Sequence, residues 1–224
     1  MNQRILVWDI PTRVFHWLLA VSFMGAFLTA ESERYRDIHV MFGYTLLGLI
    51  AFRLLWGFIG SRYAQFGSFL FKPAEIAAYL ASLLKARPEH HVGHNPAGSV
   101  AVFALLALGV ACGVTGVILF QDIGGDALEE LHEGAAFVML TVVGVHIVGV
   151  LVSSLLHHEN LARSMITGLK AARQKDGIRH AHAWLGVIML AVVVAFWVGY
   201  PAAGVTQPSL MVSQAEHDHD HDDD

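Results

Sequence analysis

Residues 131–146 read LHEGAAFVMLTVVGVH, and the apolar run continues IVGVLVSSLL to Leu156. A bilayer core is about 30 Å thick, so a spanning helix needs roughly 20 mostly apolar residues. Residues 132–156 meet that length. Two histidines, His132 and His146, lie fourteen residues apart within this one span. At about 3.6 residues per turn this is nearly four turns, so they share a face, about 21 Å apart along the axis. Ionisable side chains are costly inside a membrane, which makes each a functional hypothesis by default. Two on one face, at two depths, define two stacked coordination levels.

Working outward, four more stretches are long and apolar enough to span: 11–30, 39–59, 98–120 and 182–203. The whole chain of 224 residues is 55% hydrophobic and only 15% charged, against about 25% charged in an average soluble domain. Little chain is left for a soluble domain. The first stretch is interrupted by Pro11 and His16 and is followed by further spans, so it reads as a retained helix and not a cleaved signal peptide.

Depth supplies partners for the two histidines. His39 opens the second span near the same face as His132, and His16 lies early in the first span, toward the end where His146 sits. The expected pairs are His39 with His132 and His16 with His146. Two imidazoles at one level on facing helices suit a haem iron, and helix bundles build cofactor sites in this way. No C-x-x-C-H sequence is present, and the single cysteine, Cys112, lies within the third span. Any haem is therefore held without covalent attachment, as haem b. Taken singly, a span histidine is as well explained by an interhelical hydrogen bond; two depth-matched pairs are harder to explain that way. Gly43 and Gly48, with Gly134, Gly144 and Gly149, offer room for a macrocycle, although glycine is common in membrane helices.

Basic residues near span ends favour the cytoplasm. With the N-terminus inside, the inner segments 1–13, 60–97 and 157–181 hold eleven of the fourteen lysines and arginines, and the outer segments hold only Arg34 and Arg36. The expected topology in a bacterial inner membrane is N-terminus in and C-terminus out. The outer face is acidic, with Glu31, Glu33, Asp37, Asp122, Asp126, Glu129, Glu130 and Glu133. That is either without consequence, since acids affect topology little, or a docking surface for a basic partner. Residues 73–87 form an expected surface helix in the inner interface. The tail ends HDHDHDDD, with His217, His219 and His221, and reads as a weak divalent-metal site or a disordered solvating tail.

Several motifs together resemble one family. WDIPTRVFHW (Trp8–Trp17), HVMFGY (His39–Tyr44), RLLWGFIGSRYAQF (Arg53–Phe66), GHNPAG (Gly93–Gly98) and LHEGAAFVMLTVVGVH are similar to the bacterial cytochrome b561 and nickel–iron hydrogenase cytochrome b family. The resemblance implies an all-α, integral membrane four-helix bundle binding two b haems, with His16, His39, His132 and His146 as ligands. It implies exchange of electrons between quinone and a partner redox protein, with a fifth, C-terminal span as an addition. The expected units are a di-haem domain over 1–160, a loop and extra span over 161–206, and the acidic tail over 207–224. Arg13, Arg53, His94 and Asn95, polar groups near the inner end, are candidates to line a quinone site. Arg53 alternatively pairs with a haem propionate or snorkels, and Arg34 and Arg36 are candidates for the outer propionates. The expected partners are lipid, quinone or quinol, and a periplasmic cytochrome c or hydrogenase-like enzyme, but not nucleic acid. A divalent-metal transporter, motivated by the tail and the span histidines, is the alternative from another class. A haem-free anchor leaves the paired histidines unexplained.

Overall fold

The computed structural model describes residues 3–85 and 89–202. The tail histidines and Arg87 therefore lie outside the described residues. Asp9 starts the first helix: its Oδ1 accepts from the Thr12 N–H at 2.7 Å, and Pro11 takes a first-turn position where no N–H is needed. This helix, α1, runs Ile10–Thr29. Then follow α2 (Arg36–Ile59), α3 (Pro73–Leu84), α4 (Pro96–Phe120), α5 (Gly125–Leu156), α6 (Leu161–Thr167) and α7 (Ala183–Ala202). Five of them (α1, α2, α4, α5 and α7) are long and apolar enough to cross a membrane. These match the five expected spans in order.

The ends differ in an informative way. The turn after α4 is shorter than the segment 121–131 expected on the outer side, because Gly124 (φ 113°) and Gly125 (φ 58°) reverse the chain tightly. The φ of 113° at Gly124 suits glycine, while the left-handed region near 58° is also adopted by Asp122 (φ 56°) in the same turn. α5 therefore begins seven residues earlier than the apolar run does, and His132 lies two turns inside the helix instead of opening it. The acidic residues Asp126, Glu129 and Glu130 are helical there, where a reading by hydropathy sees only loop. His39 likewise lies almost one turn inside α2.

Packing is uneven. α5 lies closely along α4 but only sparsely against α1 and α2, which leaves a cleft beside it. Its main anchor in the bundle centre is Met139, 2% exposed, in one cluster with Phe23, Leu46, Ile50 and Leu106. Met139 is seven residues from each span histidine, so it fills the face between them. The fifth span packs on the bundle through Phe15, Leu18, Leu49, Met189 and Val193, and the Trp197 indole N–H donates to the Thr45 hydroxyl at 2.9 Å.

The inner-loop end carries structure that composition does not announce. β1 (Gln3–Leu6) pairs antiparallel with β2 (Leu169–Ala172). The N–H groups of Val7 and Trp8 both donate to the Gly168 carbonyl, and that of Ile178 to the Leu6 carbonyl. Tyr63 adds a bond from its hydroxyl to the Asp176 carbonyl at 2.7 Å. Burial pushes the Tyr63 phenol pKa up, so the hydroxyl keeps the proton it donates. Lys170 of β2 is buried and lies 3.7 Å from Glu159; burial lowers its ammonium pKa and the Glu159 carboxylate opposes that. Segment 157–181 thus closes over the N-terminal strand instead of forming an open loop.

Candidate haem site

The expected outer pair, His39 with His132, is built by three helices and the end of a fourth. His39 of α2 and His132 of α5 face each other with ring centroids 6.2 Å apart and planes at 73°. Two imidazoles on opposite sides of one metal ion, each bonded at about 2 Å, place their centroids roughly 6 Å apart. The second nitrogen of each ring is occupied. His39 Nδ1 lies 2.8 Å from the Ala26 carbonyl. A carbonyl only accepts, so this nitrogen carries the hydrogen and Nε2 keeps its lone pair. The carbonyl is itself in the last turn of α1, where helix partners run out.

His132 reaches the same tautomer by a different route. Its Nδ1 lies 2.9 Å from the Thr115 hydroxyl, whose hydrogen is donated to the Ala111 carbonyl at 2.7 Å. The hydroxyl oxygen is left to accept, so His132 Nδ1 donates and Nε2 is bare. Both Nε2 atoms are thus fit to bind a metal, held by the kind of hydrogen bond that orients ligating histidines. The cavity between the rings is lined by Gly43, Tyr44, Cys112, Gly113, Gly116 and Phe120. Gly43, one turn beyond His39, faces open space with no atom within 4 Å of an added Cβ. Imidazole donors, a fixed tautomer and a glycine-lined wall beside a cleft fit a flat macrocycle with two axial ligands.

At the other level, His16 of α1 and His146 of α5 are close enough for the charge of one to act on the other. His16 stands edge-on to Trp17 at 5.1 Å, and its Nδ1 is buried without a partner among the described residues. Gly149, one turn past His146, also faces open space.

The remaining candidates sort by position. Arg53 is 3% exposed, so it does not snorkel; its guanidinium lies 4.7 Å over the Phe66 ring. His94 packs 4.3 Å from the Phe69 ring and 4.8 Å from the Trp8 ring. Burial first, then the Arg53 charge, push its pKa down to about 3, which keeps it neutral at physiological pH. Asn95 caps α4, its Oδ1 accepting from the Gly98 N–H at 2.6 Å. Arg13 lies one turn before His16 on α1. At the outer end Arg34 is exposed and leans 5.7 Å over the Tyr35 ring, and Arg36 is half-buried at the start of α2.

Sequence reasoning missed Ala26, Thr115 and Asp9. Thr115 had a signal: with Ser99 near the start, it is one of two hydroxyls in a highly apolar span. Asp9 had one as well, an acid directly before Ile-Pro at a helix start. A backbone carbonyl such as that of Ala26 leaves no trace in sequence.

A family model described as prokaryotic cytochrome b561 matches residues 7–168. Among curated proteins, the chain is 24% identical to the probable Ni/Fe-hydrogenase B-type cytochrome subunit of Rhizobium leguminosarum bv. viciae, over 78% of this chain and 92% of that one. It is 27% identical to the protein of the same name from Azotobacter vinelandii, over 56% of this chain and 64% of that one. It is 26% identical to the probable Ni/Fe-hydrogenase 1 B-type cytochrome subunit of Escherichia coli (strain K12), over 52% of this chain and 60% of that one. No solved structure matches significantly.

Proposed function

Because the chain belongs to the prokaryotic cytochrome b561 family, we propose that this multi-pass membrane protein carries electrons across the bilayer on two b haems, one held by His39 and His132 and one by His16 and His146. The observation that carries this reading is the outer pair: two imidazoles 6.2 Å apart with both Nδ1 atoms engaged. Haem supplies a one-electron iron couple when bound. The protein supplies everything that tunes it. The Ala26 carbonyl and the Thr115 hydroxyl orient the two rings and raise their basicity. Held by two histidines, each iron would have no open coordination position, which would favour electron transfer over oxygen activation. Met139 and its apolar neighbours separate the two levels and keep water out between them.

The positive charge of the inner segments supports an N-terminus in the cytoplasm. His39 and His132 then lie toward the periplasm and His16 and His146 toward the cytoplasm, in a bacterial inner membrane. Quinone is the membrane substrate in this reading, which makes the protein a quinone/quinol oxidoreductase component. The names of the relatives support a Ni/Fe-hydrogenase as the periplasmic redox partner. The acidic outer residues support the second reading, a basic cytochrome c steered by charge. Residues 1–160 carry all four proposed ligands, and 161–202 cover and flank them. Metal binding by the tail from 207 onward is a separate proposal, and the metal-transporter alternative rests on that tail and the span histidines. Among the described residues no three His, Cys, Asp or Glu side chains come together as a metal-ion site.

The test is a reduced-minus-oxidised spectrum of detergent-purified protein with a haem-to-protein ratio, followed by reduction with quinol. Two b haems per chain are expected, with one lost in His39→Ala and the other in His146→Ala. A folded, haem-replete preparation without any b-type signal would sink the proposal.

A further inference from the structure

At the inner-loop end of the bundle the buried polar groups do not balance. Arg53 is 3% exposed and lies over the rings of Phe66 and Phe69. Its Nη1 is buried without a hydrogen-bond partner among the described residues, as are Nε of Arg13 and Nδ1 of His94. Asp9, 0% exposed, is the buried acid whose charge acts on both arginines. Both its oxygens are engaged elsewhere, Oδ1 by the Thr12 N–H and Oδ2 by the Trp56 indole N–H at 3.1 Å. Neither arginine is in an ion pair among the described residues, where the pairs found are those of Glu159 with His90 and Lys170. One carboxylate, with both oxygens committed elsewhere, thus faces the buried Arg53 guanidinium and the half-buried Arg13, and a buried charge persists only when it is paired and hydrogen-bonded. Among the described residues Arg53 lacks a hydrogen-bonded anion.

Position identifies the anion. Arg13 precedes His16 by one turn on the same face of α1. His94 feels the charges of Arg53, His16 and His146. The uncommitted nitrogens therefore lie at the same end of the bundle as His16 and His146, within electrostatic reach of them, and haem b carries two propionate carboxylates on one edge. A planar guanidinium suits a carboxylate in two-point geometry. We propose that Arg53, with Arg13 and His94, binds a propionate of the haem held by His16 and His146. This rests on the haem site proposed above, and it gives to the haem three of the four residues otherwise open to quinone. Arg53 is a positioning residue here: it fixes the macrocycle and, as a buried cation, favours the reduced iron.

The test uses the full chain with both haems, and His39→Ala as the background in which only the inner haem remains. Arg53→Met is expected to weaken inner-haem retention. It should also lower the inner potential by about 59 mV, an about tenfold shift of a one-electron couple, while the outer haem stays fully bound and reports correct folding. Reconstituting the wild-type apoprotein with haem b dimethyl ester, which has no free carboxylate, is expected to reproduce the Arg53→Met behaviour at the inner site. Arg53→Met itself should no longer distinguish ester from acid. Unchanged retention and potential in Arg53→Met, or ester and acid behaving alike in the wild type, overturns the inference. The second result would hand the cationic cluster to another anion such as a lipid phosphate. Should Arg53→Met lose both haems, the ester comparison in the wild type decides. If His16→Ala removes no haem, the underlying site reading has failed instead.

Discussion

Replacing Thr115 by valine removes a single oxygen from the outer site and leaves the shape of the side chain. In the native protein that hydroxyl accepts from His132 Nδ1 at 2.9 Å and donates to the Ala111 carbonyl at 2.7 Å. Valine leaves a buried imidazole N–H without an acceptor, because Thr115 is 7% exposed and water has little access. An unsatisfied buried donor costs about 1–3 kcal/mol. Removing the hydrogen-bond partner of a ligating histidine typically weakens metal binding about 10–100-fold, and each factor of ten is about 1.4 kcal/mol, so the two routes agree. The expected result is a Thr115→Val protein that binds its outer haem about 10–100-fold more weakly, measured by titrating apoprotein with haem and by haem loss on dilution, with the inner haem unaffected. The outer potential should rise, because a less basic ligand stabilises ferric iron less. Thr115→Ser keeps the acceptor and should behave like wild type. Thr141→Val is the control: it removes a hydroxyl from the lipid-facing side of the same helix as His132. Equal weakening of both haems in Thr115→Val, or the same loss in Thr141→Val, would refute the reasoning.

Gly43→Leu projects into open space beside His39; the apoprotein should fold normally, by circular dichroism and thermal unfolding, yet hold only the inner haem. Asp9→Ala removes both the cap of α1 and the acceptor of the Trp56 N–H. It should destabilise the protein by about 2–3 kcal/mol in detergent unfolding assays, with Asp9→Asn intermediate. Tyr63→Phe deletes the bond to the Asp176 carbonyl and should cost about 1 kcal/mol, with earlier proteolysis of segment 169–181 as its local signature. Trp197→Phe breaks the bond to Thr45 and should loosen the fifth span by about 1 kcal/mol, seen as faster cross-linking or exchange in α7 while haem content holds.

The parts of this fold legible in the sequence are those a bilayer dictates. Five apolar stretches gave five helices, because a membrane admits few other structures. The histidine levels followed from helical periodicity alone. What stayed hidden depends on contacts between distant segments. The extension of α5 to Gly125 is invisible to hydropathy because Asp126, Glu129 and Glu130 are polar, yet helix is decided by backbone geometry and not by polarity. The pairing of Gln3–Leu6 with Leu169–Ala172 joins two four-residue strands too short to show alternation. The roles of Ala26 and Thr115 required knowing which helix lies beside each imidazole. Arg53 was visible as a charge within a span, but only its burial and its Nη1 without a hydrogen-bond partner among the described residues separate anchoring from snorkelling.

The strand pair also sets a timetable for biogenesis. β1 leaves the ribosome roughly 160 residues and four inserted spans ahead of its partner β2. Translation at about 5–20 residues per second leaves β1 single for on the order of 10–30 s. Through that interval the end of the bundle near His16 has no lid. Docking of segment 169–178 onto β1 then acts as a latch that closes this end of the bundle last.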